Sequence, residues 1–358
     1  MEKVILGMSG GVDSSVALYL LKEAGFDVLA VSLNYKTWSG SKNENACCTK
    51  ESIERAKRIC KNFNVTHQII NVEDIFNSCV IDYFKQSLKD GQTPSPCVFC
   101  NPLVKFHSLI EYSKKMGAQK VATGHYARIR KNIDKSTNKT KYSLIKALDE
   151  TKDQTYSLSF LTQDELSKTL FPLGDLTKKE VMKIANNNPK LSFYQNVKQS
   201  QDFCFLSKNE LKDFVKKEVT DKKGKIIDEN GNVIGEHDGL ANFTIGQRKS
   251  VGLPGGPYFV LKKNKEENSL IVTKNRDLLC RKNVKLTNLN LISGESLDAK
   301  MKVWAKLRSS SKLSKATLSI SGENAELDFE KAQFAPTPGQ IAVFYAGDEC
   351  LGGAVITD

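Results

Sequence analysis

From Val4 to Thr123 the chain alternates short apolar runs with longer stretches whose apolar residues recur at helical spacing. Val4-Ile5-Leu6, Val28 to Leu33, His67 to Val72 and Val121-Ala122-Thr123 read as strands. Between them, the segment from Val16 reads as a helix that stops at Gly25, Thr49 to Phe63 as a second helix and Glu73 to Leu88 as a third. This rhythm predicts an α/β fold with a parallel, doubly wound sheet, whose ligands sit beyond the carboxyl ends of its strands. Ser9 to Ser15, Leu33 and the Gly124-His125-Tyr126 turn fall at such ends and are expected to line one site.

Beyond Tyr126 the rhythm weakens. The polar, lysine-rich stretch Lys131 to Lys141 reads as the loop of a hairpin between Tyr126-Arg130 and Tyr142-Ala147, and Thr177 to Asn186 as a capped helix. From about residue 223 the pattern becomes β, with an Asn230-Gly231 turn between two short apolar runs. Strand-like runs follow at Tyr258-Leu261, Leu270-Thr273, Val303-Leu307, Ala316-Ile320 and Ile341-Tyr345. The expected organisation is a catalytic domain over 1–207, a small central domain over 208–277 and a C-terminal β-barrel over 278–358.

Charge changes the picture next. The 358 residues carry 53 Lys and Arg against 41 Asp and Glu, a net +12. Such an excess suits a polyanionic partner, with nucleic acid first; the competing explanation is lysines solvated on helix faces. No run approaches the ~18 apolar residues of a membrane span, and Met1-Glu2-Lys3 leads into a strand, so no membrane partner and a cytoplasmic location are expected. Nine cysteines, an odd number without framework spacing, do not read as a secreted disulfide scaffold, which leaves some for thiol chemistry.

The richest local signal is Gly7-Met8-Ser9-Gly10-Gly11-Val12-Asp13-Ser14-Ser15, set between the first strand and the first helix. Its glycines let successive N–H groups converge on an anion above a helix N-terminus. Asp13 can reach a divalent cation, and Ser14 and Ser15 offer hydroxyls to phosphate oxygens. A Walker A loop is excluded because no lysine follows the glycines. The spacing Gly7-x-Ser9-x-Gly11 also fits the nucleophile elbow of α/β-hydrolases, with Ser9 as nucleophile, though it follows the first strand and no oxyanion loop is evident. A plain helix-starting turn needs neither the second glycine nor the aspartate.

Among the cysteines, Cys97 and Cys100 lie in Thr93-Pro94-Ser95-Pro96-Cys97-Val98-Phe99-Cys100-Asn101-Pro102. Asn101 reads as an N-cap with Pro102 at the first helical position, which would put Cys100 beside the positive end of a helix and favour its thiolate. The alternative is that both are small buried hydrophobes. Cys204, in Asp202-Phe203-Cys204-Phe205, reads as a buried strand residue on sequence alone. Cys47, Cys48, Cys60, Cys79, Cys280 and Cys350 have no supporting context.

The loop Ser9-Gly10-Gly11-Val12-Asp13-Ser14 resembles that of the N-type ATP pyrophosphatases. Further segments, in order, resemble one family nearly end to end: the tRNA-specific 2-thiouridylases of bacteria and organelles. They are Thr93-Pro94-Ser95-Pro96 with Cys100-Asn101, Ala122-Thr123-Gly124-His125-Tyr126, Lys152-Asp153-Gln154-Thr155-Tyr156, Phe171-Pro172-Leu173-Gly174, Cys204-Phe205, Gly235-Glu236-His237-Asp238-Gly239, Thr244-Ile245-Gly246-Gln247-Arg248-Lys249, Thr337-Pro338-Gly339-Gln340 and Cys350-Leu351-Gly352-Gly353.

The resemblance implies an adenine nucleotide alpha hydrolase-like sheet that holds ATP with Mg2+ on Gly7, Met8, Ser9, Gly10, Gly11, Val12, Asp13 and Ser14. The backbone at Leu33 and Gly124 would lie near the adenosine. ATP would adenylate O2 of the wobble uridine, position 34 of a tRNA. Cys204 would carry a persulfide delivered by a sulfur-donating protein or a cysteine desulfurase, and Cys100 would be the second catalytic thiol. Ser95, Pro96 and Cys97 would receive the flipped base, with His125, Lys152, Asp153, Gln154, Arg308, Ser309 and Gln340 at the tRNA.

Two departures from the family pattern stand out. Cys97 replaces an aspartate, and Ser95 an asparagine, found in many members. Cys97, Cys100 and Cys204 together match three ligands of a [4Fe-4S] cluster with one iron open for sulfide, whereas the other reading leaves Cys97 idle. Ser309-Ser310-Ser311 replaces a more basic and aromatic segment. The competing functions are another N-type ATP pyrophosphatase ligase or amidotransferase, which needs neither Cys100 nor Cys204, and a basic RNA-binding module without catalysis.

Overall fold

The computed structural model describes residues 1–35, 49–133, 138–191, 205–206, 210–219, 222–249, 251–294 and 300–357. Its first layer is built on β1 (Lys3–Gly7), β2 (Asp27–Asn34), β3 (His67–Asn71) and β4 (Lys120–Ala122). A hairpin of β5 (Arg128–Ile133) and β6 (Thr140–Ile145) follows, and then β7 (Thr169–Leu170). β3, β2, β1, β4 and β7 form a parallel sheet in that order. The pattern predicted four of these strands; β7 is two residues long, too short to carry a period.

Val4, Ile5 and Leu6 of β1 have no solvent exposure, because helices cover both faces. This is why β1 reads as a continuous apolar run instead of an alternating one. On one face, α1 (Val12–Glu23), α2 (Lys50–Asn62) and the helix Lys178–Asn187 bring Val16, Ala17, Leu21, Ala56, Ile59, Val181 and Ala185 onto Val4, Leu6, Val28 and Ala30. On the other, Phe106, Leu109 and Ile110 pack on Ile5, Leu29, Val31 and Val121. Each large side chain so buried contributes roughly 1.5–3 kcal/mol.

β1 has β2 on one side and β4 on the other, so the chain turns in opposite directions from it. The loops after β1 and β4 therefore flank a topological switch point, where an open α/β sheet forms its crevice.

The helix that follows the Thr93-Pro94-Ser95 loop corrects an expectation. It begins at Pro96 and not at Asn101, running through Pro96–Cys100, a π-helical segment Asn101–Phe106 and His107–Lys115 without a break. Pro102 thus lies inside it. A proline there lacks an N–H and its ring crowds the carbonyl four residues back; widening to a π turn relieves both. Cys97 sits in the first turn, and Cys100 is one turn further in.

Thr177 caps the helix Lys178–Asn187 as expected, in a reciprocal capping box with Glu180. Both strands of the β5–β6 hairpin reach further into the loop than the sequence suggested, which shortens it, and part of that loop, 134–137, lies outside the described residues.

The central part holds β8 (Gly224–Ile227), β9 (Val233–His237), β10 (Phe259–Asn264) and β11 (Ser269–Thr273), in the order β10-β11-β8-β9. The predicted turn closes β8 and β9, with the Asp228 carboxylate accepting from the Asn230 and Asn232 amides.

Six strands make the C-terminal barrel: β12 (Cys280–Leu291), β13 (Lys300–Lys306), β14 (Ser314–Ser321), β15 (Asn324–Phe334), β16 (Ile341–Ala346) and β17 (Glu349–Ile356). Pairing of β12 with β17 closes it. β6 pairs with the start of β17, Ile145 opposite Glu349, so the hairpin of the α/β part extends the barrel's sheet. No helix of the described residues is long and apolar enough to cross a membrane.

Candidate active site

The loop after β1 takes the form its glycines allow. Gly10 adopts φ +73°, and a Cβ there would fall 2.0 Å from the Ser52 carbonyl oxygen of α2, so only glycine fits. Ser9 Oγ lies 3.1 Å from Ser14 Oγ and accepts from the Gly11 amide. Ser14 and Ser15 donate to the Gly11 carbonyl, which fixes the start of α1. Met8 donates its amide to Val31, its carbonyl accepts from Ser32 Oγ, and Arg55 Nε donates to the Gly10 carbonyl. The partners of Ser9 among the described residues are thus Ser14 and Gly11 and not a histidine, and the residue with left-handed backbone is Gly10. Neither feature belongs to a nucleophile elbow.

Across the switch point the turn after β4 leans directly on this loop. A Cβ on Gly124 would lie 2.8 Å from the Ser14 amide nitrogen. Gln154 grips Tyr126 of that turn twice: its backbone amide donates to the Tyr126 carbonyl and its side-chain Oε1 accepts from the Tyr126 amide. Asp153 accepts from the amide of Ala147 and the hydroxyl of Thr155. Tyr126 Oη donates to Asp13 Oδ1 at 2.8 Å, and Lys178 Nζ reaches the same oxygen at 2.6 Å. Burial and the Asp13 carboxylate push the Tyr126 phenol well above its usual range, so it stays a donor.

His125 packs against Thr123, Phe106 and Phe171. Its Nδ1 lies 2.7 Å from Thr123 Oγ1, and its ring stacks on Phe106 with Phe171 edge-on. Burial, with a smaller contribution from Lys105, holds the imidazole far below its ordinary pKa, so it is neutral at pH 7.

The cysteine-bearing helix lies beside this pair of loops. Cys97 is exposed, whereas Cys100 is 3% exposed and packed among Tyr35, Phe76, Phe84, Val104 and Phe205. The positive helix end that the sequence assigned to Cys100 is therefore nearer to Cys97. Asn101, buried beside Cys100, donates Nδ2 to the Ser157 carbonyl at 2.7 Å. Ahead of the helix, Thr93 donates its amide to Pro338, accepts at its carbonyl from Gln340 Nε2 at 2.9 Å and donates Oγ1 to Thr244. Ser95 is half-buried and Pro96 buried behind it.

Arg308 is half-buried, with one guanidinium nitrogen on the carbonyls of Ile245 and Ala335 and on Thr337 Oγ1. Ser309 is exposed, and Lys152 is half-buried with its amide on the Asp149 carbonyl. Leu33 is a half-buried residue of β2. Cys204 lies outside the described residues. Phe205, its chain neighbour, is buried 5.8 Å from Phe76 and 5.5 Å from Phe84, ring to ring.

Three family models match in succession: the tRNA methyl transferase HUP domain over residues 2–208, the tRNA methyl transferase PRC-barrel domain over 212–274 and the aminomethyltransferase beta-barrel domain over 281–356. The tRNA-specific 2-thiouridylase MnmA of Clostridioides difficile is 39% identical over 362 residues, 99% of this chain and 98% of that protein. The chain belongs to the tRNA-specific 2-thiouridylase family. The proteins of the same name from Lachnoclostridium phytofermentans, 39% identical over 366 residues, and Clostridium acetobutylicum, 38% identical over 361, match at least 99% of this chain and 99% of their own length.

Within this thiouridylase fold, two residues of the loop's surroundings had no signal in the sequence that named them. Lys178 was legible only as the first residue of a capped helix, and Arg55 only as one charge of an amphipathic one. Both come to the loop after β1 because α2 and the helix Lys178–Asn187 pack on the same face as α1.

Proposed function

We propose that this chain is an ATP-dependent tRNA uridine 2-sulfurtransferase: ATP adenylates O2 of the wobble uridine, and sulfur then replaces that oxygen to give 2-thiouridine. Family membership over the whole length supports the reaction class. The structural observation that carries it furthest is that Phe205, covalently next to Cys204, is buried in the same apolar cluster as Cys100.

The residues present fit Mg2+-ATP. Backbone at Gly10 and Gly11 and the hydroxyls of Ser9 and Ser14 can meet phosphate oxygens, and Asp13 supplies the carboxylate for the divalent cation. The bound nucleotide supplies an activated phosphoryl group that turns O2 of the uracil into a leaving group as part of AMP. Gly7, Met8 and Val12 shape the loop, and Leu33 and Gly124 border the nucleoside.

The sulfur steps run through two thiols. The terminal sulfur of a Cys204 persulfide attacks C2, and AMP departs with the former O2. The Cys100 thiolate then attacks Sγ of Cys204, leaving the sulfur on the base and a Cys100–Cys204 disulfide. An external dithiol returns two electrons, and a persulfide-carrying protein or cysteine desulfurase reloads Cys204. The [4Fe-4S] alternative needs Cys97, Cys100 and Cys204 on one cluster. Cys97 faces solvent while Cys100 lies in an apolar cluster rich in aromatic side chains, a poor match to a shared coordination shell.

The tRNA reading divides its residues by environment. Cys97, Ser309, Lys152 and Ser95 present surface for direct contact, with Pro96 behind them. Asp153, Gln154, His125, Arg308 and Gln340 hold the loops that the RNA meets. The domain bounds 1–207, 208–277 and 278–358 stand as part of the same proposal.

The test is thiolation of unmodified tRNA with ATP and a persulfide donor. Wild type is expected to form 2-thiouridine, and Cys100→Ser and Cys204→Ser to lose at least ~99% of the activity, as for removal of an acting nucleophile. Full thiolation by either variant would overturn the two-thiol chemistry. Iron and acid-labile sulfide in anaerobically purified wild type and Cys97→Asp protein separate the cluster route.

A further inference from the structure

Asp13 poses an electrostatic problem that the ATP reading leaves open. A carboxylate on the first turn of α1 stands in the mouth of the loop that is to receive a polyphosphate, where two like charges repel. In the structure that charge is cancelled by Lys178, whose Nζ lies 2.6 Å from Asp13 Oδ1. The pair is sheltered: the Lys178 side chain is 13% exposed and Asp13 36%. The ammonium also lies 5.8 Å from the centre of the Tyr126 ring, whose hydroxyl donates to the same Asp13 oxygen.

The backbone under Lys178 is fixed. Its amide donates to Asp149 Oδ2, and the Thr177–Glu180 capping box anchors the turn that carries it. Only the four-carbon side chain has freedom to move. A compact ammonium on a flexible stem, held at the edge of a glycine loop, suits a phosphate oxygen as well as it suits a carboxylate.

We infer that Lys178 is a ligand of the ATP phosphates, held on Asp13 until the nucleotide and its divalent cation arrive. The inference rests on the ATP reading of the loop. The cation replaces the ammonium at Asp13, and the ammonium turns to the phosphate chain. Exchanging one set of opposite-charge contacts for another avoids leaving either charge unpaired in a partly buried place. In the free protein the same pair holds the turn after β4 closed on α1 through Tyr126.

The experiment measures ATP binding directly, by equilibrium dialysis with and without Mg2+, and tRNA binding separately. Lys178→Met keeps the apolar stem and removes the charge; its Mg2+-ATP affinity is expected to fall on the order of ten- to a hundredfold, the range of a charged hydrogen bond. Its tRNA affinity is expected to stay within about twofold, the change a site away from the RNA gives, and Lys178→Arg to recover part of the loss. A second arm holds if Lys178→Met does not fold. Asp13→Asn frees the lysine and removes the repulsion, so it should bind metal-free ATP more tightly than wild type does. Lys178→Met binding Mg2+-ATP as wild type does, or Asp13→Asn binding metal-free ATP no better, overturns the inference. If wild type itself binds no ATP, the ATP reading has failed instead, a distinct result.

Discussion

At the scale of the residue, the chemistry was legible where a side chain's role follows from its immediate neighbours in sequence. Gly10 is the clearest case: two glycines before an aspartate announce a backbone that a Cβ would block, and the Ser52 carbonyl is what blocks it. Roles set by distant neighbours were not legible. Asp13 reads as an open metal ligand, but its oxygen is held by Tyr126 and Lys178, 113 and 165 residues away.

His125 reads as an RNA contact by resemblance, and its ring is stacked on Phe106 and held neutral. That burial has a pH signature. The folded ring's pKa is depressed below the unfolded value of about 6.5, so the unfolded chain takes up the proton first as pH falls. The stability tied to the neutral ring is complete above pH ~6.5 and is lost progressively below it, toward the folded value. Thermal melts between pH 7 and pH 5 should therefore fall less steeply for His125→Gln than for wild type. His67, whose ring is depressed by burial in the same direction, is present in both proteins and drops out of the comparison. Equal slopes would contradict the neutral, enclosed ring.

At the scale of the element, strands covered on both sides announced themselves as apolar runs, and the helix after Thr177 by its cap. Elements with mixed faces did not. β15 alternates exposed and buried positions only from Asn324 to Phe329, and the exposed run Glu330-Lys331-Ala332 then breaks its period. The cysteine helix was misplaced at its start because Asn101-Pro102 has the local form of a cap. Pro96 offers the same first-position proline six residues earlier, and the π turn that accommodates Pro102 leaves no mark in sequence.

The loop before that helix depends on a second element. Gln340, from the turn before β16, donates to the Thr93 carbonyl, so its proposed part is to position the base-receiving loop. Gln340→Ala should lower kcat about fivefold, the worth of one hydrogen bond of ~1 kcal/mol, with tRNA affinity unchanged. A weakened tRNA Kd with unaltered kcat would instead make Gln340 a direct RNA contact.

At the scale of the molecule, the three parts meet where the chemistry is proposed. Thr93 is bonded to Pro338 and Gln340 of the barrel and to Thr244 of the central part, and Arg308 joins Ile245 to Ala335 and Thr337. β6 carries the α/β part into the barrel's sheet. The order of the parts was readable along the chain, since the period changes from alternating strand and helix to strand alone. Their convergence was not, because every contact that makes it joins residues far apart in sequence. The net charge of +12 belongs to this scale too: it suits a large polyanion and says nothing of where that polyanion's target base is placed.

The central claim is that ATP activates the oxygen that sulfur replaces. It is tested most directly with tRNA carrying 18O at O2 of the wobble uridine, incubated with the protein, ATP and a persulfide donor, followed by mass spectrometry of the AMP and the nucleosides. The account predicts one labelled oxygen in AMP for each 2-thiouridine formed, and pyrophosphate without label. Thiouridine formed while AMP stays unlabelled would contradict it, because the departing oxygen would then never have been joined to the nucleotide.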